Sequence, residues 1–78
     1  MTAAYVFIQV SEGGDAQDVH KKLHAVEGVR TVHFLAGPTD VVAFVEAADM
    51  TTLIATIGKM RSVKGIAHTD TRIVLPIS

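Results

Sequence analysis

A short internal repeat is the feature of this chain that most limits its fold. Residues 26–29 read VEGV, and VKGI follows thirty-seven positions later at residues 63–66. The same offset aligns Leu23 with Met60. Two copies are too few for a solenoid, because stacked repeats need about three units to bury a continuous core. The repeat therefore predicts one domain made of two similar halves, each with a strand, a helix and a second strand.

The size and composition of the chain predict a single domain, residues 1–78, that associates with other copies of itself. A domain of 78 residues buries only about 60% of its unfolded surface, so its stability is marginal without help. The sequence has no cysteine, which excludes disulfides and thiolate metal sites. Because 49% of the residues are hydrophobic and only 19% are charged, we expect part of the apolar surface to be buried against another copy.

Charge and hydropathy exclude several partners. The net charge of −1 and the absence of a basic run give no electrostatic footprint for nucleic acid. No apolar run approaches the roughly 20 residues that span a bilayer. The N-terminus has neither the basic region nor the cleavage site of a signal peptide. These observations predict a cytoplasmic protein that binds neither nucleic acid nor a membrane.

The order of the predicted elements is strand, helix, two strands, helix, strand. Asp15 and Asp49 can cap the helices, and Gly28 and Gly65 are predicted to end them. The predicted strands are residues 4–10, 29–36, 41–47 and 69–75. Right-handed crossovers then place both helices on one face of a four-stranded antiparallel sheet. The predicted fold class is α+β, a ferredoxin-like βαββαβ sandwich with strand order 4-1-3-2.

Spacing along each element predicts which side chains are buried. The helix-facing residues of the central strands are predicted to be Val6, Ile8, Val10, Ala43, Val45 and Ala47. The first helix is predicted to bury Ala16, Val19, Leu23 and Val26. The second is predicted to bury Leu53, Ile57, Met60 and Val63, with Ile54 widening the stripe. Pro38 is expected to fix a tight turn, and Pro76 to mark an edge position or the end of the last strand.

The opposite face of the sheet predicts a dimer. Because side chains alternate along a strand, two central strands carry three aromatic residues and a valine on the face away from the helices. These residues are Tyr5, Phe7, Val42 and Phe44. A contiguous apolar patch of this kind usually marks an interface, and a two-fold pairing of sheets would cover it. The alternative is an ordinary solvated sheet face, since Gln9 and Glu46 lie on the same side.

Several segments together resemble a known family. Residues 4–10 (AYVFIQV), 26–29, 37–42 (GPTDVV), 63–66 and 69–71 (TDT) resemble the effector-binding (RAM) domain of the Lrp/AsnC, or feast/famine, transcription regulators. The resemblance covers nearly the whole chain. It implies the βαββαβ fold, homodimers formed through the sheets, and rings of four dimers with an amino acid or similar effector bound between dimers. The helix-turn-helix that precedes this domain in the family has no counterpart in these residues. The chain is therefore similar to stand-alone versions, which could co-assemble with a full-length regulator.

The resemblance implies a ligand site at the turn before the third strand and in the last strand. The implied residues are Gly37, Thr39, Asp40, Thr69 and Thr71. A sharp turn exposes N–H groups that can bind a carboxylate, and the Asp40 carboxylate can accept from an ammonium group. The structural alternative is a plain hairpin turn in which Asp40 bonds its own backbone. Thr69 and Thr71, two residues apart, point to one side of the sheet, although threonine is also an ordinary strand residue.

The positions of the four histidines in the sequence do not indicate a metal centre. His20 and His24 have a spacing that can chelate a metal, but no third ligand lies at a diagnostic distance in sequence. The repeat places His20 at the edge of the buried stripe and His24 in solvent. His33 and His68 are predicted to lie on the two outer strands, as surface or interface residues. No nucleophile elbow, catalytic cysteine or phosphate loop is present, so no cofactor is predicted.

Three functional hypotheses follow. The first is a module that binds an amino acid or related metabolite and changes its assembly or a partner's activity. The second is a small dimeric enzyme, of the cofactor-independent monooxygenase or isomerase type, with a polar cleft between sheet and helices. The third is an oligomerisation domain without a ligand. Apolar residues on the helix side of the central strands disfavour the enzyme.

Overall fold

The computed structural model of the chain describes residues 1–37 and 39–75. Its elements follow the order β1–α1–β2–β3–α2–β4. Their bounds are β1 Thr2–Val10, α1 Ala16–His24, β2 Val29–Phe34, β3 Val41–Ala47, α2 Met50–Arg61 and β4 Ile66–Ile73. The predicted order of strands and helices is confirmed. The predicted turn at Pro38 and the predicted edge position or strand end at Pro76 lie outside the described residues.

The four strands form one antiparallel sheet in the order β2-β3-β1-β4, which confirms the predicted topology. On the central strand β1, Ile8 pairs with Val41 of β3 on one side and with Thr69 of β4 on the other. The outer strands β2 and β4 contain His33 and His68, as predicted. Side chains of paired residues lie on the same face, so this register assigns every strand residue to the helix side or to the open side.

The core lies between the sheet and the two helices. It is built from apolar side chains of β1, β2, β3, α1 and α2, and the larger fully buried ones are Val6, Ile8, Val19, Leu23, Val41, Val45, Leu53 and Met60. Val10, Ile57 and Val63 are partly buried against it. Ile54 is not part of the core, because its side chain remains 61% exposed. The prediction that Ile54 widens the buried stripe of α2 is wrong, and Thr56 lies there instead.

Aspartate residues cap both helices, as predicted. The Asp15 carboxylate accepts from the N–H groups of Gln17 (3.0 Å) and Asp18 (3.3 Å). The Asp49 carboxylate accepts from the N–H group of Thr52 at 2.8 Å. That backbone hydrogen bond, followed by one from the Thr52 side chain, lowers the pKa of Asp49 below its ordinary value.

The helices end earlier than predicted. Helix α1 ends at His24, four residues before Gly28, and α2 ends at Arg61, four residues before Gly65. In α1 the chain then tightens, since Val26 N–H donates to the carbonyl of Leu23, three residues back. Gly28 and Gly65 therefore belong to the turns that lead into β2 and β4, where each has a positive φ, of 97° and 103° respectively.

Four strand boundaries also differ from the prediction: β1 begins at Thr2 rather than at Ala4, and β4 ends at Ile73 rather than at Leu75. Strand β2 ends at Phe34 rather than at Ala36, because the N–H of Leu35 donates to the carbonyl of Asp40 (2.8 Å) and so closes the loop. Strand β4 begins at Ile66 rather than at Thr69, since its first residues pair with the end of β1 across an irregularity in register. Within the described residues, no helix has the length and apolar character needed to cross a membrane.

Candidate functional site

The loop before β3 and the first half of β4 meet at the same end of the sheet. Val41, which follows the loop, pairs with Ile8, and Ile8 pairs with Thr69 on the other side. Since neighbouring strands lie about 4.8 Å apart, roughly 10 Å separates Val41 from Thr69. The predicted ligand residues Gly37, Thr39, Asp40 and Thr69 therefore lie around the end of β1.

Asp40 holds this end of the sheet together. Its backbone N–H donates to the carbonyl of Ile8 at 3.0 Å. Its carboxylate oxygen Oδ2 accepts from the N–H of Val10 at 2.9 Å. The carboxylate thus bonds the backbone of another strand and not that of its own turn. Its Oδ1 atom accepts no hydrogen bond from a described residue, which leaves one oxygen for a ligand.

The remaining predicted ligand residues differ in exposure. Gly37 is exposed and has a φ of 127°, a left-handed conformation that favours glycine. Thr39 and Thr69 are half-buried, whereas Thr71 is exposed. Thr69 and Thr71 pair with Ile8 and Val6, so both lie on the helix side of the sheet, as the spacing predicted.

The clefts of the described residues mostly lie away from this group. The structure has clefts of about 570, 400 and 230 Å³. Thr69 lines the smallest of them, beside Arg61 and His68. Gly37, Thr39, Asp40 and Thr71 line none of the three. None of these three clefts therefore encloses a ligand at the loop.

The open face of the sheet carries the apolar patch that the alternation predicted. Tyr5 is 46% exposed, while Phe7, Val42 and Phe44 are half-buried. The rings of Tyr5 and Phe44 lie 4.9 Å apart, centroid to centroid, within one cluster across β1 and β3. We call these four residues the open-face patch.

Sequence reasoning missed two charged residues beside the open-face patch. Arg72 of β4 stacks over the Phe7 ring, with its guanidinium carbon 5.4 Å from the ring centroid. Asp70, two residues earlier, accepts from Arg72 at 3.1 Å. Alternation along β4 could have found both, because residues that flank Thr71 must point away from the helices.

The histidines take the predicted positions. His20 is half-buried, its Nε2 lies 3.0 Å from the carbonyl oxygen of Val32, and its ring stacks on Phe34 at 5.0 Å. His24 is exposed. His33 and His68 are exposed on opposite edges of the sheet. Residues 1–37 and 39–75 contain no group of three or more His, Asp or Glu side chains that could hold a metal ion.

Among the described residues, the core between sheet and helices is apolar, which does not match the polar centre that the enzyme hypothesis required. Apolar side chains fill it, and Thr56 is the one polar residue among the buried side chains of the described chain. The Thr56 hydroxyl donates to the carbonyl of Thr52 at 3.0 Å, so it has a partner. The geometry thus defines a small βαββαβ domain with an apolar open face and an incomplete polar site at one end of the sheet.

Comparison with known proteins identifies the family. The model of the Lrp/AsnC ligand binding domain matches residues 3–77. The chain therefore belongs to the Lrp/AsnC ligand-binding domain family, as the sequence predicted. Solved members of the family include transcription regulators.

Two curated proteins are similar in sequence. The HTH-type transcriptional regulator LysM of Saccharolobus solfataricus is 28% identical over 72 residues, which are 92% of this chain and 51% of LysM. Homocitrate synthase of Sulfolobus acidocaldarius is 39% identical over 57 residues, which are 73% of this chain and 12% of the enzyme. The chain thus spans about half the length of the first protein and a small part of the second.

Solved structures confirm the fold. The crystal structure of FFRP-DM1 has a TM-score of 0.88 at 26% identity, covering 96% of this chain and 100% of that chain. A feast or famine regulatory protein from M. tuberculosis, complexed with L-methionine, has a TM-score of 0.81 at 22% identity and covers 99% of this chain and 52% of that one. At that identity the second likeness shows the fold alone.

Proposed function

We propose that the chain binds an amino acid at the loop before β3 and that a second copy completes the site. The observation that carries this proposal is the convergence of Gly37, Thr39, Asp40 and Thr69 around the end of β1. The free Oδ1 of Asp40 would accept from the ligand ammonium group. N–H groups of the loop would bind the ligand carboxylate. Family membership and the L-methionine complex of the M. tuberculosis relative support this ligand class.

The open-face patch is the proposed dimer interface. Tyr5, Phe7, Val42 and Phe44 form a connected apolar surface on the two central strands. Pairing the sheets of two copies would remove this surface from water, at about 25 cal/mol stabilisation per Å² of apolar area, less the cost of association. Arg72 and Asp70 would lie at the rim of the contact, where charged residues remain solvated.

A ligand that binds between dimers would change how strongly the dimers associate, and it could regulate the protein in this way. We propose that dimers associate further, up to a ring of four dimers, with the ligand between them. A full-length Lrp/AsnC-type regulator in the cytoplasm is the proposed partner, which the chain would join by co-assembly. The similarity to LysM supports this choice. In this proposal the described residues themselves do not contact nucleic acid.

A thermal-shift screen of the twenty amino acids tests the ligand. We expect at least one amino acid to raise the Tm and to change the mass measured by light scattering. Asp40→Asn should remove that response, because it replaces the proposed acceptor of the ammonium group. Asp49→Asn is the matched control, since Asp49 caps α2 beyond the other end of β3 and asparagine also caps a helix, and it should keep the response. A chain that responds to no amino acid in either measurement does not have the proposed ligand site.

Phe44→Asp tests the interface. A carboxylate in the middle of the open-face patch would have to be desolvated in the dimer, so we expect the mutant to separate into subunits. Phe7→Asp should act in the same way. Gln17→Asp, which adds a carboxylate to the exposed side of α1, should keep the wild-type mass. Wild-type mass for both phenylalanine variants would exclude the open face as the contact.

A further inference from the structure

The internal repeat creates two equivalent clefts. The Lys22 cleft, of about 400 Å³, lies between the loop after β1, helix α1 and the turn before β4. The Lys59 cleft, of about 570 Å³, lies between the end of β3, helix α2 and the turn before β2. Six lining positions correspond at the offset of thirty-seven: Ser11 and Ala48, Asp15 and Thr52, Asp18 and Ala55, Lys22 and Lys59, Lys64 and Glu27, Gly65 and Gly28.

The two clefts differ in their charges. In α1, the ammonium group of Lys22 pairs with Asp18, one turn earlier, at 2.9 Å. Ala55 occupies the position equivalent to Asp18, so Lys59 lacks this partner. The turn residue across the cleft is Lys64 in one case and Glu27 in the other. Among the described residues, neither Lys59 nor Glu27 forms an ion pair. The lining of the Lys59 cleft therefore includes the cation of Lys59 and the anion of Glu27, neither of them in an ion pair with a described residue, together with the N-terminal residue Met1.

The floor of the Lys59 cleft is made of small side chains. Ala47, Ala48 and Ala55 line it, together with Gly28. A Cβ atom at Gly28 would lie 3.2 Å from the carbonyl oxygen of Glu46 and 3.3 Å from Thr56, so a side chain there would crowd the floor. Arg30 and Glu46 also line this cleft. They form a salt bridge with each other at 3.3 Å, so their opposite charges are already paired.

We infer that the Lys59 cleft binds a small zwitterion of the α-amino acid class. Lys59 binds the carboxylate, Glu27 binds the ammonium group, and an aliphatic side chain lies on the alanine floor. Opposite charges on the two walls favour a ligand that carries both signs over a simple anion or cation. This site lies within one subunit. It goes beyond the function proposed above and does not depend on the ligand site at Asp40.

An NMR titration of the intact, ¹⁵N-labelled chain tests this inference with L-methionine as the probe. We expect shift changes at the amide groups of Gly28, Ala48 and Ala55. Lys59→Ala should raise the Kd about tenfold, which corresponds to 1.4 kcal/mol. Glu27→Gln should weaken binding to a similar extent. Lys22→Ala, the matched control in the other cleft, should leave the Kd unchanged.

Two analogues test the need for both charges. L-methioninamide lacks the carboxylate and N-acetyl-L-methionine lacks the ammonium group, so both should bind much more weakly than L-methionine. Equal shifts with all three probes, or a Kd unaffected by Lys59→Ala, would overturn the inference. So would a titration that perturbs no residue of this cleft.

Asp40→Asn separates this inference from the proposed function. If the two sites are distinct, this variant loses the shifts around residues 37–40 and keeps those at Gly28, Ala48 and Ala55. Loss of both sets would overturn the separate site. The inferred site would be supported if Lys59→Ala lost the ligand-induced shifts at Gly28, Ala48 and Ala55 but kept those around residues 37–40. The spectrum without probe shows whether each variant is folded.

Discussion

Leu23 and Met60 occupy equivalent positions in the two halves of the chain, and both are completely buried. Gln17 and Ile54 are also equivalent, and both are exposed although one is polar and the other apolar. Packing limits the choice of side chain at the interior pair, whereas the exposed pair differs in polarity. At the surface the two halves were free to diverge, and their surfaces can therefore serve different purposes.

The flanks of the two helices show this divergence most clearly. Beside α1, the ring of Phe34 stacks on His20 and covers the helix side of β2. The equivalent pair beside α2 is Thr71 and Ile57, and Thr71 is exposed. The clefts diverge in the same way, since Lys22 has a carboxylate partner and Lys59 has none. Features that separate the halves are therefore better indicators of function than those that they share.

The largest expected effect comes from truncating the equivalent core residues. Leu23→Ala and Met60→Ala should each lower the free energy of unfolding by about 2–5 kcal/mol, because each leaves a cavity in a packed core. Urea unfolding at one fixed protein concentration measures both. Ile54→Ala, at an exposed position of α2, should change stability by no more than about 0.5 kcal/mol. If only one of the two variants lost much stability, the two positions would not be energetically equivalent.

A smaller effect is expected from the two turn glycines. Gly28→Ala and Gly65→Ala each force a side chain into a left-handed conformation, which costs about 1–2 kcal/mol. Gly65→Ala should cost more, since its Cβ would lie 2.9 Å from Cγ2 of the buried Val19. Gly58→Ala is the control, because nothing lies within 4 Å of that Cβ, and it should stabilise α2 by about 1 kcal/mol. Chemical denaturation checks the order of the three variants.

The smallest effect concerns the cap of α2 and its dependence on pH. Hydrogen bonding from Thr52 lowers the pKa of Asp49 in the folded chain. The carboxylate therefore stabilises the fold fully above its unfolded pKa, and this contribution is lost as pH falls through the lowered folded pKa. Asp49→Asn caps without titrating, so its stability should fall less steeply than that of the wild type below about pH 4. Parallel acid dependence of the two proteins would contradict this.

Much of the fold could be predicted from local patterns. Asp15 and Asp49 cap their helices as predicted, because capping depends on atoms within one turn. Strand β3 has the predicted bounds, Val41–Ala47. The ends of the helices could not be predicted, since Val26 and Val63 continue the apolar spacing after the helix has stopped. Their partial burial comes from the turn that follows each helix and not from helical geometry.

The residues of the candidate ligand site stay a prediction, and the structure adds their geometry. The family resemblance supplied Gly37, Thr39 and Asp40, and the structure adds that Asp40 bonds the backbone of Val10, thirty positions earlier. The Lys59 cleft was not predicted at all. It joins the turn at Glu27 to helix α2, and sequence spacing gives no distance between them.

The repeat, the alternation of strand residues and the helix caps specified the architecture of this protein, because each depends on neighbours along the chain or on a period within it. The register of β4 against β1, the hydrogen bond from Val10 to Asp40 and the placement of Glu27 and Lys59 at one cleft required the folded chain. These features join residues distant in sequence, and their energies depend on distances that exist only after the sheet and helices have packed.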